Sequence, residues 1–182
     1  MKRKFLAGLV LPVIAVVLAG CSQPAPASPP AHNAADVTFA QGMVPHHRQA
    51  VEMAAPVPQH TANPRLIDLA TQIQQAQQPE IDQLTAWLKT WGAPPPATGE
   101  MGGMDHGTSM SGMVDTAGLD QLRDQAYDRK WLELMIQHHE GAITMSRTEL
   151  AQGQDPGAKA MAQHITDTQQ TEITTMKSLL GS

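Results

Sequence analysis

The sequence predicts an all-α fold: a four-helix bundle made of two duplicated helical hairpins. Three observations predict it. The stretch MVPHHRQAVEMA, beginning at Met43, returns as MIQHHEGAITMS at Met135. Apolar residues in and around both copies recur at the three-and-four spacing of a helix face. No run of alternating β-branched residues marks a strand.

The chain opens with Lys2, Arg3 and Lys4, then an apolar run from Phe5 to Leu18, then LAGC. That is the layout of a secretory signal and is short for a membrane span. Small residues before Cys21 look like a bacterial lipobox, in which the cysteine is lipidated and becomes the new N-terminus. Residues 1–20 therefore read as a lipoprotein signal peptide. Residues 21–33, rich in Pro and Ala, read as an extended tether. The expected location is extracytoplasmic, with the protein anchored to the cell membrane through Cys21. Cys21 is the sole cysteine, so the folded part has neither a disulfide nor a thiolate ligand. Cleavage removes three basic residues and no acidic one, taking the net charge from -5 to -8. An acidic chain without a basic stripe excludes nucleic acid as the natural partner.

The first hairpin spans residues 34–92. Phe39, Met43, His46, His47, Ala50 and Met53 share one face of its first helix. A break follows at APVPQHTANP, after which Asn63 is placed to cap a second helix with Pro64 at its first position. Leu66, Leu69, Ile73, Gln77, Glu80, Leu84 and Leu88 line that helix. The second hairpin, residues 118–182, repeats this at a constant offset of 92. Phe39 maps to Trp131, Asn63-Pro64 to Asp155-Pro156, Gln77 to Gln169, Glu80 to Glu172 and Leu88 to Leu180. A gapless offset over this length marks internal duplication. Pro45 and Pro79 interrupt only the first copy, where Gln137 and Thr171 stand in the second, so kinks are expected in copy one alone. Two hairpins with one apolar face each bury those faces together, which gives a bundle with pseudo-twofold symmetry. Between them, residues 93–117 are too rich in Gly and Pro for a helix and read as a flexible, Met-rich crossover.

Met43, His46 and His47 fall within one helical turn, as do Met135, His138 and His139, so their side chains can converge. Thioether and imidazole donors without Cys or Asp favour Cu(I) or Ag(I) over Mg, Ca or Fe. The same histidines have a second reading. Glu80 and Glu172 sit amid apolar faces, where a carboxylate needs a partner. A His–Glu network completed by Gln77 and Gln169 would satisfy them without metal, or would support metal-bound histidines from behind. In the crossover, Met101, Met104, His106, Met110 and Met113 have no apolar face to serve. They read as a second soft-metal segment, whose thioethers carry no proton and should bind through mild acid where histidine would not. His32, His60 and His164 stand alone and read as solvated or locally bonded. No Ser/His/Asp arrangement, glycine-rich phosphate loop or zinc-protease His pair is present, so no catalytic residue is assigned.

The duplicated MVPHH and MIQHH motifs, each followed by Q-x-x-E-I (Gln77 to Ile81, Gln169 to Ile173), resemble the family named domain of unknown function 305. The resemblance covers Ala34 to Leu180. It implies a ferritin-like fold and, for some members, extracytoplasmic copper or silver binding, with His46, His47, His138, His139, Met43 and Met135 as the implied metal residues. A di-iron centre is not implied, because the second helices carry Gln-x-x-Glu where such a site needs Glu-x-x-His. The leading functional expectation is Cu(I)/Ag(I) sequestration or transfer. The alternatives are a cell-envelope structural or interaction lipoprotein and, third, a ferritin-like redox enzyme.

Overall fold

The structure is a computed structural model and describes residues 31–94 and 112–181. The signal, Cys21, Met101, Met104, His106 and Met110 lie outside these residues. The described residues are helical, with no strand among them. Helix α1 spans Ala34–Ala54, α2 Val57–His60, α3 Pro64–Thr90, α4 Asp124–Gln152 and α5 Pro156–Leu180, with a 3-10 turn at Leu119–Gln121 before α4. No described helix is long and apolar enough to cross a membrane.

The starts of these helices follow from local chemistry. Asn63 caps α3 by accepting from the Arg65 N–H, and Asp155 caps α5 by accepting from Ala158, each with Pro at the first helical position. Asn33 caps α1 in a reciprocal box: its side chain accepts from Ala35 and Asp36, and its N–H donates to the Asp36 carboxylate at 2.6 Å. The expected break after Ala54 contains a single helical turn, α2, started by Pro56 at its N-cap and Pro58 in its first turn and ended where Thr61 turns extended. Helices α1 and α3 stay continuous through Pro45 and Pro79.

Neighbouring helices run antiparallel around the order α3, α1, α4, α5. Phe39, Met43, Leu84, Leu88 and Ile165 pack at one end of the bundle. Met53, Leu66, Ile73, Trp131, Met135 and Ile173 pack at the other. Helix α3 therefore finishes at the Phe39 end while α4 begins at the Trp131 end. The 29 residues of α4 span roughly 44 Å, so the crossover has to travel most of the bundle's length.

Its last residues are packed, contrary to the expectation of a free crossover through residue 117. Val114 is buried. The Gln49 amide holds it from both sides, donating to the Val114 carbonyl at 2.9 Å and accepting from its N–H at 3.0 Å. Thr116 and Leu119 then line a groove beside Met53 and Tyr127. The equivalent space at the other end of the α1–α4 seam, beside Gly42 and Met145, is an open cleft of about 530 Å³.

Two equivalent clasps tie the hairpins together. At one end the Asn63 amide donates to Asp128 at 2.9 Å. At the other, Asp36 accepts from the backbone of Gln154 and Asp155 at 3.0 and 2.9 Å. Burial alone would raise the Asp36 pKa, but the N–H groups of Asn33, Asp155 and Gln154, with Glu149, together hold it below the ordinary carboxylate range. The Glu149 carboxyl, also buried, has no N–H donor and lies against Asp36. Two carboxyls share such a contact only when one keeps its proton. Burial first, then Asp36, pushes Glu149 from 4.5 up to about 8.

A raised carboxyl pKa stabilises the fold in its protonated form. That contribution should be complete below about 4.5 and lost as pH rises towards 8. Thermal melts from pH 6.5 to 9, above the range in which buried neutral histidines change stability, should show this decline. Glu149→Gln, whose amide can still donate to Asp36, should flatten it and add on the order of 1–3 kcal/mol at pH 8.

Candidate metal centre

One polar layer crosses the middle of the bundle, between the two apolar ends. In α1 it follows Met43 and Val44 and precedes Ala50; in α3 it lies between Ile73 and Ile81. In α4 it lies between Met135 and Ala142, and in α5 between Ile165 and Ile173. The helical periods that bring the apolar residues inward also bring His46, His47, His138, His139, Gln77 and Gln169 inward, and all six are buried.

The histidines divide into two kinds. His47 Nε2 meets Glu80 Oε2 at 2.7 Å, and His139 Nε2 meets Glu172 Oε2 at 2.6 Å. These pairs sit at equivalent places in the two hairpins. Each carboxylate keeps 13% exposure, so it retains some water while holding the ring behind it. His46 and His138 instead face each other across the hairpins, with ring centroids 3.7 Å apart and planes tilted by 33°. Neither ring has a hydrogen-bond partner of good geometry at either nitrogen.

Burial lowers the His46 pKa to about 3, with the charges of His47 and His139 adding to the effect. The nearby Gly112 backbone opposes it only in part. Burial, then His46 itself, also drives His138 far below the usual imidazole value. Both rings are neutral, and their lone pairs stay available at pH 5. The expected contrast between acid-resistant thioethers and acid-sensitive histidines therefore does not apply to this pair.

Gln77 and Gln169 do not complete the His–Glu network as expected. All four of their side-chain polar atoms lack partners. Met43 and Met135 are fully enclosed, but they belong to opposite apolar ends and so do not meet each other. Met113 is half-buried at the end of the crossover. Of the single histidines, His32 stacks on Trp91 with centroids 4.9 Å apart, His60 stacks on Tyr127 at 4.5 Å, and the exposed His164 lies 3.8 Å from Glu80. Among the described residues no three His, Cys, Asp or Glu side chains form a metal cluster. The layer offers imidazole pairs and amide oxygens, with thioethers one turn away. Closed-shell Cu(I) and Ag(I), which accept few and soft donors, fit that set better than a hard divalent ion.

Two glycines complete the layer, and sequence reasoning missed them. Gly112 has φ +86°, and a Cβ there would lie 2.4 Å from the Gly141 Cα and 2.8 Å from His46 Nε2. A Cβ on Gly141 would in turn meet Gly112 at 2.2 Å. The crossover backbone thus lies directly on α4 and over the His46 ring. The available signal was a mismatch in the repeat, Gln49 in one copy against Gly141 in the other.

The His–Glu pairs make a symmetric prediction. Glu80→Ala strands His47, and Glu172→Ala strands His139. Each should cost on the order of 1–3 kcal/mol in urea unfolding, while the Gln variants, which keep a hydrogen-bond partner, should cost less.

The chain is similar in fold to solved proteins. A DUF305 fragment from Deinococcus radiodurans superposes with a TM-score of 0.71 at 36% identity, covering 82% of this chain and 97% of that one. CopM in its Cu(II)-bound form superposes with a TM-score of 0.70 at 29% identity, covering 80% and 95%. An uncharacterized protein, L153, of Acanthamoeba polyphaga mimivirus is 43% identical over 61 residues, which are 32% of this chain and 40% of that protein's length. The family described as Domain of unknown function (DUF305) matches residues 36–180, and the chain belongs to it.

Proposed function

We propose that the protein is a lipid-anchored, extracytoplasmic carrier of Cu(I) or Ag(I), which it sequesters or hands on. The observation that carries this reading is the His46–His138 pair: two buried, neutral rings from different hairpins, with no hydrogen-bond partner of good geometry at either nitrogen. An unpaired buried donor costs stability, on the order of 1–3 kcal/mol, and an ion would recover that cost. Met43 and Met135, one turn along the same helices, add soft donors nearby. CopM, similar in fold, has been solved with Cu(I) and with silver bound. The crossover residues Met101, Met104, His106, Met110 and Met113 are a second soft-donor set, suited to capture. The signal at residues 1–20 and Cys21 support the location.

A second reading has one observation in its favour. His47 and His139 are already paired with Glu80 and Glu172, and those pairs need no metal. Here they fix the layer and support the inner pair as His–carboxylate partners do in metal sites.

Anaerobic Cu(I) titration against a strong chelator tests this at pH 7. Changing Met101, Met104, Met110 and Met113 to Leu should remove part of the Cu(I) capacity without loss of helicity. His46→Leu with His138→Leu should remove the rest. If the double histidine variant keeps full capacity, the inner pair is only a packing feature.

A further inference from the structure

The pseudo-twofold axis leaves the bundle through two faces, the α1–α4 seam and the α3–α5 seam. At the level of the histidine layer they differ in how they are closed, although towards the Phe39 end the α1–α4 seam opens into the cleft beside Gly42 and Met145. Over the α1–α4 seam, Gly112 rests on Gly141 and His46 at backbone contact, and Gln49 holds the next turn of chain through both polar groups of Val114. Helices α3 and α5 touch sparsely. Between them is a cavity of about 10 Å³, room for roughly one water, lined by Ala76, Gln77, Glu80, Ile165, Thr168, Gln169 and Glu172.

The lining is ordered from outside inwards. Glu80 and Glu172 keep contact with solvent. Gln77 and Gln169 lie deeper, each 2% exposed and without a partner at either amide atom. Their unpartnered amides are what a passage traversed by water or a cation requires, and a sealed core does not. Two carboxylates at the mouth favour a cation over an anion and raise its local concentration.

We infer that the α3–α5 seam is the entrance by which a monovalent soft cation reaches the histidine layer, with Glu80 and Glu172 as its mouth and Gln77 and Gln169 as its lining. This rests on the carrier function proposed above.

The test is loading kinetics with Ag(I), in a variant with the four crossover methionines changed to Leu and with His106→Ala, so that the crossover donors are removed from the count. Rapid mixing, a chelator quench and counting of bound silver give the rate. Ala76→Leu with Thr168→Leu narrows the seam without touching a histidine, and should slow loading at least tenfold while final occupancy is unchanged. Glu80→Gln with Glu172→Gln should slow it and weaken its dependence on ionic strength. Gln49→Ala, which frees Val114 on the opposite face, should leave the rate as it was. Loading of the narrowed variant at the parental rate, or faster loading after Gln49→Ala, would overturn the inference and leave the carrier function standing. Unchanged silver in the His46→Leu, His138→Leu variant would remove the bundle site and the entrance with it.

Discussion

The structure depends on keeping a polar layer in the middle of a small apolar core. Four imidazoles and two amides are taken from water between two ends packed with Leu, Ile, Met and Trp. Buried polar groups are tolerated when paired. Here the pairing is only half complete: Glu80 and Glu172 satisfy one nitrogen of the outer rings, while the inner rings and both glutamines go without. The outer pairs fix the register of α1 on α3 and of α4 on α5. The inner rings meet across the two hairpins, with the Gly112 backbone lying against His46.

Much of this was legible in the sequence because a duplicated chain states each rule twice. The constant offset of 92 fixed the hairpins, and Asn63-Pro64 and Asp155-Pro156 marked the helix starts by their own backbone chemistry. The need of Glu80 and Glu172 for a partner followed from their place on apolar faces. Periodicity could not say which histidine of each pair they would choose. His46 and His47 are adjacent, and helix rotation decides between them only once the bundle is assembled. The chemistry of Gln77 and Gln169 permits a closed network; the sparse contact of α3 with α5 that leaves them out of one is a tertiary fact. The packing of Val114 was hidden by its setting, since one valine after a Gly- and Met-rich run carries no period. The Asp36–Glu149 contact joins groups 113 positions apart in sequence, and Glu149 aligns with Val57 in the other copy, so the repeat gave no hint of it.

Gln49 and Gly141 occupy the same place in the repeat and do opposite things. One grips the returning chain, and the other makes room for it. The chain lies near the pseudo-twofold axis, where two symmetry-related loops could not both fit. Two unfused hairpins could form the same core, but they could not roof it this way. Covalent fusion is what allows a single strand to cover the axis. The divergence of these two positions is then the mark of a symmetric pair that became a molecule whose polar layer is roofed on one side.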